Sequence, residues 1–138
     1  MTLMHPSFKQ SIHSAAAPAP VGTYSQAIAV PAEGARTVWL SGQIGLDPAT
    51  GQMVASQFEP QARQVFANLA AVAQAAGGTL DDVVKINLYL TDLAEFPIAN
   101  KVMAEFFAEP YPARSTLGVS ALPRGALFEA DAVLVLRR

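Results

Sequence analysis

The sequence predicts an α+β fold, or an α/β sandwich, built on a mixed sheet, and three observations carry that expectation. Two stretches with helical spacing lie between β-rich segments, in the order β-β-(β)-α-β-α-β-β. The last segment, Ala126 to Leu136, is apolar on both sides, and such a strand belongs in the middle of a sheet. Charge is also scarce. Only 14% of the 138 residues are Asp, Glu, Lys or Arg, against about 25% in ordinary soluble domains. Part of the surface is therefore expected to be covered by other subunits.

Residues 1–16 read as a loose N-terminal arm and 17–138 as a single domain. Pro18 and Pro20 block regular structure at the junction. Tyr24 to Val30 reads as a strand, and Pro31 to Ala35 turn the chain. Thr37 to Ile44 is a second strand, β-branched and aromatic in its first half. Asp47 to Gly51, with Pro after Asp and Gly at the end, is a turn, and a short strand is expected near Gln52 to Val54. From Phe58 to Ala76 the apolar residues Ala62, Val65, Phe66, Leu69, Val72, Ala73 and Ala76 recur every three or four positions, which is an amphipathic helix ended by Gly77 and Gly78.

Val83 to Leu90 is a strand with Val84, Ile86, Leu88 and Leu90 on its apolar face. A second helix is expected over Leu93 to Phe107, with Ala99, Val102, Met103 and Phe106 inward. Ser115 to Val119 is the next strand. In the final strand Phe128, Ala130, Ala132, Leu134 and Leu136 share one face, and Glu129, Asp131, Val133 and Val135 the other. Two helices cover one side of such a sheet. The other side offers Trp39, Ser41 and Gln43, then Lys85, Asn87 and Tyr89, then Glu129, Asp131, Val133 and Val135. That mixture suits a subunit interface enclosing a polar cleft.

Composition excludes several chemistries. Nine basic against eleven acidic residues give a net charge of −2, and no basic stripe favours nucleic acid. There is no cysteine, so disulfides and thiolate sites are absent. His5 and His13 lie in the arm with no second ligand at metal spacing, so no metal site is expected. The start has no continuous apolar run, and Gln64 to Leu80 is interrupted by polar residues. No membrane is expected, and cytoplasm is the default location.

Two residues stand out. Arg114 follows Pro110, Tyr111, Pro112 and Ala113 at the mouth of a strand, where it is either an edge charge or a fixed clamp for an anion. Glu129 sits in an otherwise apolar strand, where a carboxylate needs a partner or has a task as a base or water-holding group. Tyr24, Asn100 and the Ser41-Gly42 pair each have a plain packing or capping explanation beside a cleft role; glycine within a strand permits close approach of a ligand or another backbone.

Five stretches in order resemble the Rid (YjgF) family of 2-imino acid deaminases: "APAPVGTYSQAI", "LSGQIGLDPATG", "QARQVFANLAAVAQAAGG", "VVKINLYLTDLAEF" and "YPARSTLGVSALPRGALFEADAV". The resemblance covers nearly the whole chain after the first dozen or so residues. It implies a mixed six-stranded sheet backed by two helices, with the trimer fold of the trimeric chorismate mutases and clefts between subunits. By the resemblance Arg114 clamps the substrate carboxylate and Glu129 orients or activates water. Tyr24, Ser41, Gly42, Asn100 and Thr116 match positions beside the cleft.

The implied reaction is hydrolysis of small 2-imino acids, 2-iminopropanoate or 2-iminobutanoate, to 2-keto acids and ammonium, with no cofactor or metal. An imine carbon is already electrophilic, so orientation, a placed water and a proton path suffice. Departures are Thr23 where many members have proline, Thr116 where many have cysteine, and Phe128 and Ala130 flanking Glu129 in place of aliphatic residues. The alternatives are a sister deaminase acting on an aminomuconate-type intermediate, and a non-catalytic ligand-binding or chaperone-like trimer. Ribonuclease activity suits the net charge least.

Overall fold

Six strands form one mixed sheet in the computed structural model, which describes residues 8–137. The first seven residues of the arm, His5 among them, and Arg138 lie outside the described residues. The strands are β1 (Gln10–Ile12), β2 (Ala27–Ala32), β3 (Ala35–Gln43), β4 (Val83–Leu90), β5 (Ala113–Gly118) and β6 (Phe128–Arg137). Their order is β1-β2-β3-β6-β4-β5. Only β4 and β5 run parallel, joined through helix α2 (Phe96–Phe106); every other neighbouring pair is antiparallel. Helix α1 (Phe58–Ala75) and α2 cover one face of the sheet.

The last strand occupies the centre, as its two-sided apolar pattern requires. Phe128, Ala130, Ala132 and Leu134 are buried toward the helices, and Phe128 packs its ring against Phe58 and Phe66. Every apolar position of the predicted first helix is buried. Gly77 ends that helix at φ +95, a conformation only glycine adopts cheaply, and the Gly78 N–H returns to the Ala73 carbonyl. Arg63 donates to Glu59 and to Glu105 and so ties α1 to α2 on the surface.

Several expectations need correction. The arm is not wholly loose: Gln10–Ile12 pairs antiparallel with Ala27–Ala29 as an edge strand. Its end is tied down by Gln26, whose buried amide accepts from the Ser14 N–H at 2.6 Å and donates to the Pro18 carbonyl at 2.8 Å. The strand expected near Gln52 reduces to a single bridge, Leu46 to Met53. Tyr24, Ser25 and Gln26 precede β2 rather than belonging to it. Leu93–Glu95 is a separate 3-10 turn capped by Asp92, and the α-helix begins only at Phe96.

Two register shifts change which way side chains point. One between Val83 and Lys85 buries Val83 and exposes Val84. Another between Leu40 and Gln43 turns Gln43 to the buried side, away from Trp39 and Ser41.

The sheet face away from the helices carries exposed apolar groups. Trp39 is 54% exposed and Val135 37%. Trp39 lies opposite Val133, and Leu117 stands beside Tyr89. Among the described residues no helix is long and apolar enough to cross a membrane.

Candidate active site

The residues singled out in the sequence fall into two groups on opposite sides of the sheet. The first group lies on the open face. Strand alternation puts Glu129 there, because its neighbours Phe128 and Ala130 are buried under the helices. Tyr24, Ser41, Gly42 and Glu129 line one cavity of about 350 Å³, with Pro18, Val21, Ile44, Leu46 and Pro123 forming apolar walls. The Ser41 hydroxyl donates to the Ser25 carbonyl at 2.5 Å, which leaves it acceptor capacity only. The Tyr24 hydroxyl accepts from the Val21 N–H at 3.2 Å, a bond that does not use its own proton.

Gly42 has a definite reason to be glycine. A Cβ there would meet Oε2 of Glu129 at 2.2 Å. The β3 backbone therefore approaches the carboxyl group closely, and a larger residue would push the Glu129 carboxyl from this position. Glu129 is half-buried, and no ion pair among the described residues includes it. Lys85, on the same sheet face, donates to Ser115 Oγ at 3.1 Å rather than to Glu129. Loss of hydration, and then the nearby Asp131 charge, push the Glu129 carboxyl above the usual glutamate range. Asp131 accepts from Asn87 Nδ2 at 2.8 Å and from Tyr89 Oη at 2.9 Å. Burial, and then the bond to Asp131, raise the Tyr89 phenol.

The second group lies on the helix side, at the β5 edge. Arg114 points toward α2. Its Nη1 donates to Asn100 Oδ1 at 2.8 Å, and its guanidinium lies 5.1 Å from the centre of the Phe96 ring. Met103 Sδ is 3.7 Å from Nη1. Asn100, Met103, Ala104, Tyr111, Pro112 and Arg114 line a second cavity of about 390 Å³. The guanidinium is thus aimed by one side-chain acceptor and one ring, and its remaining N–H donors face an open space.

Thr116 follows two residues along β5 and lines neither cavity. Sequence reasoning missed the apolar walls at Val21, Ile44 and Leu46, and Phe96 beneath Arg114. Nothing in the spacing of those residues marks them: Val21, Ile44 and Leu46 lie outside regular strands, and Phe96 opens α2. Among the described residues no three His, Cys, Asp or Glu side chains converge as metal ligands.

Comparison with known proteins is consistent along the chain. The family described as endoribonuclease L-PSP matches residues 14–136. A 2-iminobutanoate/2-iminopropanoate deaminase of Dermatophagoides farinae is 44% identical over 128 residues, covering 93% of this chain and 97% of that protein. The crystal structure of RidA from an Antarctic Psychrobacter species superposes with a TM-score of 0.83 at 48% identity, covering 91% of this chain and 98% of that one. Escherichia coli TdcF, solved with bound serine, superposes with a TM-score of 0.82 at 34% identity, covering 94% of this chain and 99% of that one.

Proposed function

The chain belongs to the endoribonuclease L-PSP family, the YjgF/Rid proteins, and from that premise we propose that it hydrolyses 2-imino acids to 2-keto acids and ammonium in a cleft completed by a second copy of itself. The observation that carries this reading is the division of the site. Arg114 has free donors for a carboxylate, but among the described residues no carboxyl or imidazole group lines its cavity. Glu129 is an unpaired carboxyl in an apolar-walled cavity but has no cation for a substrate carboxylate. Each half suits one end of a 2-imino acid, and the two halves lie on opposite sides of one sheet. A neighbouring copy that brings its β5 edge to the open face joins them. The exposed Trp39 and Val135, with the half-buried Val133 opposite Trp39, supply the apolar surface for that contact. A trimer, as the resemblance implies, closes such a head-to-tail contact into a ring.

The chemistry follows from the groups present. Arg114 of one copy holds the substrate carboxylate through paired N–H donors. Water adds to the electrophilic carbon of the protonated imine while Glu129 of the other copy takes its proton. Glu129 then returns the proton to nitrogen; as the C–N bond breaks, the carbinolamine hydroxyl gives its proton to the Glu129 carboxylate and becomes the carbonyl, and the ammonia that leaves takes up a proton to become ammonium. The Tyr24 hydroxyl is available to donate within the same cavity. Relatives named for 2-iminobutanoate and 2-iminopropanoate, and one with bound serine, support a small 2-amino-acid-derived substrate. Phosphodiester cleavage is disfavoured at this face, where Glu129 and Asp131 stand together and repel a phosphate backbone.

One measurement tests the reading. 2-Imino acids are generated in situ with an amino-acid oxidase or a threonine dehydratase, and keto-acid release is followed with and without the protein. Acceleration that Arg114→Ala abolishes is expected. Keto-acid release at the spontaneous rate, with the assembled protein present in excess, would overturn it. A series of 2-imino acids from three to six carbons in total separates small imines from the aminomuconate class.

A further inference from the structure

Glu129 shares its strand face with a second carboxylate, and the two are held differently. Asp131 lies two residues along β6, on the same side. Both of its oxygens are engaged, one by Asn87 Nδ2 and the other by Tyr89 Oη. These donors come from β4 positions directly opposite the pair: Asn87 faces Asp131 and Tyr89 faces Glu129 in the antiparallel ladder. Two hydrogen bonds, one to each oxygen, fix the Asp131 carboxylate in place. Glu129 has no such support, and Gly42 keeps the β3 backbone close against it. A fixed negative charge therefore stands beside a carboxyl that is free to gain or lose a proton.

The other groups facing Glu129 do not offset that charge. From β4, Tyr89 is neutral and bonded to Asp131, and Lys85, four pairs farther along and opposite Val133, turns its ammonium to Ser115 on β5. From β3, Ser41 and Gly42 do not titrate. From the preceding loop, Tyr24 lines the same cavity. Arg124, beside the cavity-lining Pro123, donates to the Gly51 carbonyl.

We propose that Asp131, anchored by Asn87 and Tyr89, is a positioning residue for the hydrolysis, its fixed charge driving transfer of the water proton onto Glu129. The inference rests on the reading of the chain as an imine hydrolase. The proton balance is unchanged: it leaves water as the C–O bond forms, resides on Glu129, and passes to nitrogen before the C–N bond breaks. Asp131 neither takes the proton nor touches the substrate.

The test is a pair of titrations on the full-length protein. One is the acid limb of the kcat/KM profile for imine hydrolysis. The other is the carboxyl-carbon NMR titration of Glu129, assigned by its loss in Glu129→Gln. In Asp131→Asn both midpoints are expected to fall together by about one pH unit, the usual effect of removing a like charge at this range. In Tyr89→Phe, which keeps the Asp131 charge but removes one donor from it, both are expected to rise. Failure of the parent protein to hydrolyse any imine would overturn the hydrolase reading itself. With an active parent, an unmoved Glu129 midpoint in Asp131→Asn would overturn the inference alone, as would an NMR shift without a matching shift of the acid limb. Should Asp131→Asn fail to fold, an unmoved midpoint in Tyr89→Phe would overturn it equally.

Discussion

Glu129 carries a stability cost, which the proposed role in hydrolysis would account for. Its proton affinity is higher in the folded chain than in the unfolded one. Between the ordinary glutamate range and that raised value the folded state therefore binds more protons, so stability falls as pH rises through this window. Above it, the ionised group opposes folding. Glu129→Gln should melt at a higher temperature than the parent at pH values above the raised titration range, where the parent glutamate is ionised. At acid pH the two should converge. The same change should depress kcat more than it raises KM, because the charge acts on water rather than on ground-state binding. Calorimetry at three pH values, read beside the imine assay, checks both. Gly42→Ala attacks the same group sterically. Its methyl would collide with Oε2 and displace it, and misplacing a reacting group by about 1 Å costs on the order of a hundredfold in rate. Steady-state kinetics of Gly42→Ala at the parent kcat would show that the Glu129 position is not critical.

The elements holding the cavity walls depend on polar side chains buried in α1. Asn68, fully buried, donates to the carbonyls of Ile44 and Leu46 at 3.2 and 3.0 Å. Gln61 donates to the Ala55 carbonyl and accepts from the Leu127 N–H, both at the cavity's end of the helix layer. Asn68→Ala removes the side-chain partner of the buried Leu46 carbonyl, while the Ile44 carbonyl keeps its bond from the Leu46 N–H, and should cost about 1–3 kcal/mol. Urea unfolding measures that loss, and KM should rise as Ile44 and Leu46 shift. The helix periodicity made α1 legible, and β4 and β6 were legible from runs of apolar residues. The polar residues at 61 and 68 lay on the buried stripe but gave no sign of what they would bond. The bulge after Leu40 was illegible for a related reason: alternation through Trp39, Ser41 and Gln43 reads smoothly, and only pairing with Ala130 shows the slip. Strand β1 is three residues of an edge, held by backbone bonds that no side-chain pattern announces. Arg114 and Glu129 could be named from the sequence, but their location on opposite faces required the sheet order.

At the scale of the whole molecule, scarce charge and an exposed apolar sheet face lead to the same expectation. Val133→Asp, which places a charge beside Trp39, should weaken assembly and turnover together. Size exclusion with light scattering at several concentrations, beside the imine assay, tests that coupling. The shared cleft has a more direct test, because Arg114 and Glu129 would serve each site from different copies. Arg114→Ala and Glu129→Gln are each expected to be inactive alone. Unfolded together and reassembled in equal amounts, they should recover about a quarter of parental activity, since random ring assembly pairs an intact arginine with a neighbour's intact glutamate at one cleft in four. Mixed oligomers, verified by mass spectrometry and still inactive, would contradict a site built from two copies.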